Sequence, residues 1–561
     1  MFAALCRLGL KLRGLESWEA SMHWNNSKAW ALLSVLFLAA TAFAAPPEVT
    51  SLYPAGAQRG TTAQVTSGGT FAKWPPLIWV DGPGLKIEPA ADQGKLNVTA
   101  AADALPGLYW VRLMDAEGAS VPRPFFVGTL PETLEQEPND APKKPQEVAS
   151  SSIINGKLLK ANDTDHFAVG LKQGETLVAS LMAHQLLGSP MDSVLQVCSA
   201  DGTVLVQEND SRGLDPQIAF VAPTDGKYLV RLFAFASEPN SSIQFAGGDT
   251  YIYRLTLTAG PFADHALPLA VQRGQAGELR LGGWNLTDAP VPLPIAPTDL
   301  RQTFLWQPEN AAGLVPLQIT DHPPNVALAT SSPEQPQDCA IPTSMTGVIE
   351  SPKDEDVFRV PGVANQRLLI RVESDALGYE LDPVLSITDD KGTQLAQQDD
   401  QGNGRDPELS FTPPRDEPLR IVVRDLYGRG GKRFVYRLTI MPLLPSLELS
   451  VAAGSFQVTP GKPLEIPITI DRRNGLAGEI EIRAIDLPTG VTADAVKSAD
   501  QGETAKSVKL VINASAEAQS GMFRIVGTTA GEKPLVQSAT FPVKLGDTTY
   551  PHSQLWLGNG K

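Results

Sequence analysis

Apolar and polar residues alternate along many short segments of the chain. In the segment 368–373, Leu368, Ile370 and Val372 are separated by residues that include Arg371. Successive side chains of a strand point to opposite faces, so this period of two predicts a half-buried β-strand. The same alternation occurs at 466–470, 480–484 and 508–512.

Turn signals separate these segments. Asp201-Gly202 and Lys391-Gly392 lie between apolar runs, where a hairpin needs a residue with positive φ. Short strands at intervals of about 8–12 residues, with little amphipathic helix, are typical of β-sandwiches. The sequence therefore predicts an all-β fold, built as a string of antiparallel β-sandwich domains.

Two internal repeats are interleaved along the chain. The segment 54–60 recurs at 268–274, and both end in Gln-Arg-Gly. The segment 163–167 recurs at 354–358 with the pattern Asp-x-Asp-x-Phe. These ordered matches predict the order A, B, A′, B′ and then a unique C-terminal piece. The predicted boundaries are a signal peptide at 1–44, sandwiches at 46–129, 130–260, 261–330, 331–442 and 443–546, and a tail at 547–561.

The N-terminal region has the pattern of an export signal. Residues 29–44 form an apolar run after Lys28 and end in Ala-Phe-Ala, the small-x-small pattern of a cleavage site. An uncleaved anchor helix is the alternative, and translation starts at Met1 or Met22. Export exposes Cys198 and Cys339 to oxidation. They could pair, but their place in different predicted domains favours free thiols.

Charge and motifs narrow the function. The formal net charge of −16 argues against nucleic-acid binding, which needs a basic face, and leaves divalent cations open. The sequence has no Gly-x-Ser-x-Gly, His-Glu-x-x-His or P-loop motif. We therefore expect no enzymatic activity, although a Ser-His-Asp triad assembled across domains stays open.

Residues 130–260 resemble the bacterial pre-peptidase C-terminal (PPC) domain. The resemblance rests on Glu-Gln-Glu-Pro-Asn-Asp at 135–140, Asp-Thr-Asp-His-Phe at 163–167 and Asp-Ser-Val-Leu at 192–195. The second copy, within 331–442, is similar with fewer matches. The regions 46–129 and 261–330 resemble IPT/TIG-type immunoglobulin-like domains, and 443–546 looks like an immunoglobulin-like domain of exported bacterial proteins.

The resemblance implies both a fold and a role. PPC domains are jelly-roll-like β-sandwiches appended to secreted peptidases and other exoenzymes, and they are often cleaved off or used to bind insoluble polymer. The family that includes collagenase collagen-binding domains holds calcium at the entrance linker. For this part of the chain the resemblance implies a non-catalytic role.

The entrance motif itself has the chemistry of a calcium site. Calcium takes six to eight oxygen ligands. The segment 135–140 supplies four oxygen-bearing side chains, and two aspartates with the same facing on a strand could complete the shell. The predicted ligands are Glu135, Glu137, Asn139, Asp140, Asp163 and Asp165. The alternative is a solvated acidic linker.

The second copy is predicted to bind calcium more weakly or not at all. When 334–338 is matched with the entrance motif, glutamines replace Glu137 and Asn139, and Pro333 replaces Glu135. The weaker ligand set is then Asp338, Asp354 and Asp356.

Two tryptophans are candidates for contact with a polymer or partner. Trp74 precedes two prolines in a loop-like stretch, and Trp556 lies in the predicted polar tail.

The sequence thus predicts an exported, non-catalytic binding or adhesion protein with a calcium-rigidified PPC module. An accessory or regulatory subunit of a secreted peptidase is the alternative, and a secreted hydrolase with an unrecognised site comes third. We expect a periplasmic, cell-surface or extracellular location and no membrane span after signal cleavage. The expected partner is an extracellular polymer, a cell-wall component or a secreted protein.

Overall fold

The computed structural model describes residues 45–238, 241, 244–297, 302–402 and 404–560. The predicted signal peptide lies outside these residues. About 54% of the chain is strand and 1% is helix, which confirms the all-β fold. Within the described residues, no helix combines the length and apolarity needed to cross a membrane. The residues from Ala45 onward form one compact unit.

The first sandwich has a four-stranded sheet in the order β1-β3-β6-β5, which faces a second sheet built on β9 and β7. Its strands are β1 (Glu48–Tyr53), β2 (Gly56–Gln58), β3 (Thr62–Thr70), β4 (Leu77–Val80), β5 (Leu85–Pro89), β6 (Lys95–Ala100), β7 (Gly107–Asp115), β8 (Gly118–Ala119) and β9 (Arg123–Gly128).

The second sandwich has two five-stranded sheets, in the orders β10-β12-β20-β14-β18 and β11-β13-β19-β15-β16. Its elements are β10 (Glu132–Leu134), β11 (Gln146–Glu147), β12 (Ser151–Lys157), β13 (Asp165–Leu171), β14 (Thr176–Met182), α1 (His184–Leu187), β15 (Met191–Ser199), β16 (Val204–Glu208), β17 (Ser211–Leu214), β18 (Gln217–Val221), β19 (Gly226–Ala236) and β20 (Ile252–Thr258).

The third sandwich repeats the bulged hairpin and the parallel strand pair of the first. Its strands are β21 (Phe262–Leu267), β22 (Ala270–Gln272), β23 (Ala276–Trp284), β24 (Val291–Pro294), β25 (Thr303–Trp306) and β26 (Val315–Thr320). One pairing, Trp306 with Gly107, joins its second sheet to that of the first sandwich.

The fourth sandwich reproduces the strand orders of the second, as β27-β29-β36-β31-β34 and β28-β30-β35-β32-β33. Its strands are β27 (Pro324–Val326), β28 (Gln337–Asp338), β29 (Thr343–Val348), β30 (Glu355–Val360), β31 (Leu368–Glu373), β32 (Pro383–Asp389), β33 (Gln394–Gln398), β34 (Glu408–Phe411), β35 (Leu419–Asp425) and β36 (Val435–Pro442); a 3-10 turn covers Asp375–Leu377.

The fifth sandwich includes the region expected to be a tail. Its strands are β37 (Ser446–Ser450), β38 (Ser455–Val458), β39 (Leu464–Arg473), β40 (Ile480–Ile485), β41 (Val491–Ala493), β42 (Val496–Ser498), β43 (Ser507–Ala514), β44 (Gly521–Thr529), β45 (Val536–Leu545), β46 (Thr548–His552) and β47 (Leu555–Asn559). β46 pairs with β45, and β47 lies between β38 and β44. The residues after 546 are therefore part of a sheet.

Three further features bear on the predictions made from the sequence. β27 lies inside the range predicted for the third sandwich, but it pairs with β29 of the fourth. The strand predicted at 368–373 is β31, with Leu368, Ile370 and Val372 buried in the core. Cys198 and Cys339 are free thiols.

Candidate metal centre

The acidic entrance segment folds back onto the second sandwich beside the start of β13. The backbone N–H of Glu135 donates to the carbonyl of Asn155 on β12, with an N···O distance of 3.0 Å. The carbonyl of Asn139 accepts from the backbone N–H of His166 at 3.2 Å and lies 3.1 Å from its ring Nδ1. These contacts hold 135–140 against Asp163 and Asp165.

The predicted carboxylate ligands come together in two adjoining groups. Glu135, Glu137 and Asp165 form the first group, and Glu137, Asp140 and Asp163 form the second. In each group, one carboxylate oxygen from each residue lies within 4.8 Å of the other two. Glu137 belongs to both groups, so the two share one carboxylate.

Three of the predicted ligands are buried with an oxygen that has no partner. Asn139, Asp163 and Asp165 are each 0% exposed. Their Oδ1 atoms form no hydrogen bond with any residue that the structure describes. Buried polar atoms are normally paired, because leaving one unpaired costs about 1–3 kcal/mol. These three Oδ1 atoms are therefore available to coordinate a cation.

The raised pKa values of the buried carboxyl groups also favour a bound cation. Burial, reinforced by the negative charge of Glu135, raises the pKa of Asp165 to about 10. Burial and the neighbouring Asp140 raise the pKa of Asp163 to about 6, and burial also raises the pKa of Glu135. The nearby ammonium of Lys160 is 3.7 Å from Asp140, on the exposed side of the cluster. A bound cation would oppose all three shifts.

The donor set is suited to calcium. It consists of carboxylate and amide oxygens, which a hard cation prefers, and the six side chains can supply the six to eight ligands that calcium takes. The sequence-predicted set is brought together here.

Sequence reasoning missed the residues that support these ligands. The hydroxyl of Tyr253 donates to Asp165 Oδ2 at 2.5 Å. The ring of Tyr53, from the first sandwich, lies 4.3 Å from the ammonium of Lys157, and its hydroxyl donates to the carbonyl of Asn155 at 3.2 Å. The recurrence of Tyr253 as Tyr436 was the available sequence signal.

The predicted matching of the second copy was wrong. The backbone N–H of Ala327 donates to the carbonyl of Thr346, as Glu135 does to Asn155. Leu328 N–H donates to the Gln337 side chain, as Gln136 does to Gln146. The true entrance is therefore at 327–331, where Ala327, Ala329 and Ser331 take the places of Glu135, Glu137 and Asn139.

Asp338 consequently does not join Asp354 and Asp356. It occupies the place of Glu147 on the neighbouring strand and forms a two-pronged ion pair with Arg359, at 2.6 and 3.0 Å. Among the described residues, both groups of three close metal-ligating side chains lie in the first copy.

Asp354 and Asp356 keep the positions of Asp163 and Asp165. Asp354 accepts from the backbone N–H groups of Glu350 and Glu355, and Asp356 Oδ2 accepts from the Tyr436 hydroxyl at 2.5 Å. Burial, with Asp354 and Glu350 nearby, raises the pKa of Asp356 to about 7.

The two candidate contact tryptophans are not free surface side chains. Trp556 is 3% exposed and packs with Met114 and Ala119 of the first sandwich, because β47 is an inner strand. This corrects its expected place in a polar tail. Trp74 is half-buried, packs edge-on against Phe71 and donates to the carbonyl of Ala90 at 2.7 Å.

No protein-family model matches this chain, and no curated protein matches it. Among solved structures it is similar to the pre-peptidase C-terminal domain of a Bacillus anthracis collagenase, at 12% identity over 22% of this chain and 100% of that domain, with a TM-score of 0.17. It is similar to the SGBP-B protein of a Bacteroides ovatus mixed-linkage glucan utilization locus, solved with a heptasaccharide, at 12% identity over 69% of this chain and 72% of that one, with a TM-score of 0.13. A tetra-tandem repeat of a large adhesion protein covers 86% of this chain and 97% of its own length, at 10% identity and a TM-score of 0.13. At these scores the functional assignment rests on the residues of this chain.

Proposed function

We propose that this chain is an exported, non-catalytic binding or adhesion protein whose second sandwich, a PPC-like module, holds calcium at its acidic entrance. The observation that carries the proposal is the burial of Asn139, Asp163 and Asp165, each with an oxygen that has no partner among the described residues. Five carboxylates form two adjoining groups that share Glu137, and the side-chain amide of Asn139 donates to Glu135. The predicted export signal would place the chain outside the cytoplasm, and its net charge of −16 favours binding of cations.

Calcium would stiffen the joint between the first and second sandwiches. Tyr53 and Ala55 of the first sandwich both bond to Asn155, Tyr53 through its hydroxyl and Ala55 through its backbone N–H at 3.2 Å. Asn155 also receives the backbone bond of Glu135. A cation that fixes Glu135 therefore also restrains the contact between the two sandwiches.

Calorimetric titration of calcium into the chelator-treated full chain tests the metal site. We expect saturable binding in the wild type and its loss in Asp165→Asn. Asp356→Asn is the matched control, because it makes the same change at the corresponding position of the second copy. Calcium at about 100 times its Kd would add about 2.7 kcal/mol to the free energy of unfolding. Absence of heat at millimolar calcium, or equal loss in both variants, would contradict the proposal.

Co-sedimentation with isolated cell-wall sacculi tests the binding role. We expect the wild type to be retained in calcium and released by a chelator, and Asp165→Asn to stay in the supernatant in both. If retention were the same with and without calcium and in both proteins, adhesion would not depend on the entrance site.

A further inference from the structure

The second copy has a cavity where the first copy has its acidic centre. Its volume is about 80 Å³, and its lining includes Asp354, Asp356 and Glu350 together with Leu267, Val326 and Leu328. A single water needs roughly 10–15 Å³, so several heavy atoms of a ligand can enter.

Matching the two copies shows that the walls have changed from polar to apolar. Leu267 takes the place of Tyr53 on the preceding sandwich, since β21 and β1 share one register. Val348 takes the place of Lys157, since each follows the glycine that pairs with the repeated tyrosine. The alanines at 327 and 329, which replace glutamates, also line the cavity.

The second copy retains the two aspartates of the first copy and has one additional glutamate. Asp354 and Asp356 correspond to Asp163 and Asp165. Glu350 takes the place of Leu159, because the backbone N–H of Glu350 donates to Asp354 as that of Leu159 donates to Asp163. The cavity lining contains no lysine or arginine.

Asp356 is the most buried carboxylate in the lining of the cavity. It is 5% exposed, and its Oδ2 accepts from Tyr436. Among the described residues, the Asp356 carboxylate receives one hydrogen bond, the one from Tyr436. A carboxylate that is largely removed from water is costly to ionise unless a donor, and preferably a cation, meets it.

We propose that this cavity binds a primary alkylammonium group, the chemistry of a lysine side chain or of a free aliphatic diamine. An ammonium has three N–H donors, which can meet Asp356 Oδ1 and a second carboxylate. The aliphatic stem would contact Leu267 and Leu328. Calcium requires six to eight oxygens, and the side chains of the alanines at 327 and 329 supply none. This site is independent of the calcium site proposed for the first copy.

Titration of n-butylammonium into the full chain, followed by calorimetry or NMR, tests the assignment, with n-butanol as the neutral ligand of equal length. We expect saturable binding of the ammonium and none of the alcohol. Binding should weaken at least tenfold in Asp356→Asn and in Glu350→Gln. The side chain of Glu350 is exposed, so Glu350→Gln should fold normally and a loss of binding would not be due to misfolding. Asp165→Asn, the matched change in the first copy, should bind butylammonium like the wild type.

Two further arms identify the source of the ammonium. A capped Gly-Lys-Gly peptide and 1,5-diaminopentane are titrated separately, and the tighter ligand indicates a protein partner or a free amine. Equal binding of butanol, wild-type binding by both second-copy variants, or no saturable binding would overturn the proposal. Calcium binding that disappears in Glu350→Gln would overturn it too, because the cavity would then be a metal site. Loss of calcium binding in Asp165→Asn bears only on the first copy, so the two proposals fail separately.

Discussion

Asp165 is fully buried, yet only one of its oxygens has a hydrogen-bond partner in the described structure. Burial and the nearby Glu135 raise its pKa to about 10, whereas an unfolded aspartate ionises near pH 4. Between these values the native state binds more protons than the unfolded state, so this carboxyl group makes stability fall as pH rises. Without a cation, the site is therefore a cost to folding at neutral pH.

Asp165→Asn should stabilise the protein in the absence of calcium. In chelator we expect the variant to have a free energy of unfolding at pH 7 about 1–4 kcal/mol above that of the wild type, because the amide needs no proton. In calcium the order should invert, since only the wild type gains binding energy. Urea denaturation in both conditions measures this. A variant less stable than the wild type in chelator would contradict the electrostatic argument.

At the scale of elements, the second and fourth sandwiches each have a glycine paired with a buried tyrosine on the neighbouring strand. Gly156 on β12 pairs with Tyr253 on β20, and a Cβ on Gly156 would lie 2.2 Å from the tyrosine hydroxyl. Gly347 and Tyr436 repeat the arrangement, with 2.3 Å. The missing side chain lets the tyrosine lie across the strand and reach Asp165 or Asp356.

Gly156→Ala should therefore be strongly destabilising. The added methyl would displace Tyr253, which is 1% exposed, and overpacking of this kind costs about 1–3 kcal/mol. Gly170→Ala on β13 is the matched control, because a Cβ there meets nothing within 4 Å. Thermal unfolding of both variants compares them. A similar loss in both would show that the contact with Tyr253 is not the cause.

The strands and the acidic cluster of the first copy could be predicted because they depend on local signals. Alternation at 368–373 reports burial, and the oxygen-rich motifs at 135–140 and 163–165 contain the side chains that form the two acidic groups. The entrance of the second copy was misplaced because Glu334 and Gln335 imitate the motif, while the true position at 327–331 is fixed by backbone pairing with Thr346. The pairing of β47 with β38 is likewise non-local, so 555–559 resembled a tail.

At the scale of the whole molecule, charged side chains are buried between the sandwiches. Asp264, 1% exposed, accepts from Arg212 of the second sandwich at 2.8 Å and from Arg433 of the fourth at 3.2 Å. Although burial alone would raise the pKa of Asp264, these guanidinium groups hold it well below its usual range. Arg112 of the first sandwich donates to the carbonyls of Gly454 and Gln554 in the fifth. These contacts join segments from 52 to 442 residues apart, and no local pattern predicts them.

The contact between the first and fifth sandwiches should be sensitive to acid. His552 on β46 packs edge-on against Trp110, with ring centres 4.5 Å apart. Burial, together with the positive charge of Arg112, lowers the pKa of His552 to about 4. An unfolded histidine titrates near 6.5, so between pH 6.5 and 4 the unfolded state binds more protons and stability falls as pH falls.

His552→Phe should remove this part of the acid sensitivity. From pH 7 to pH 4 we expect the wild type to lose about 1–3 kcal/mol more of its free energy of unfolding than the variant. Tyr550→Phe is the control, because Tyr550 also packs against Trp110 but does not titrate in this range. Urea denaturation at a series of pH values measures the difference. If His552→Phe and Tyr550→Phe followed the same curve as the wild type, protonation of His552 would not be what weakens this contact in acid.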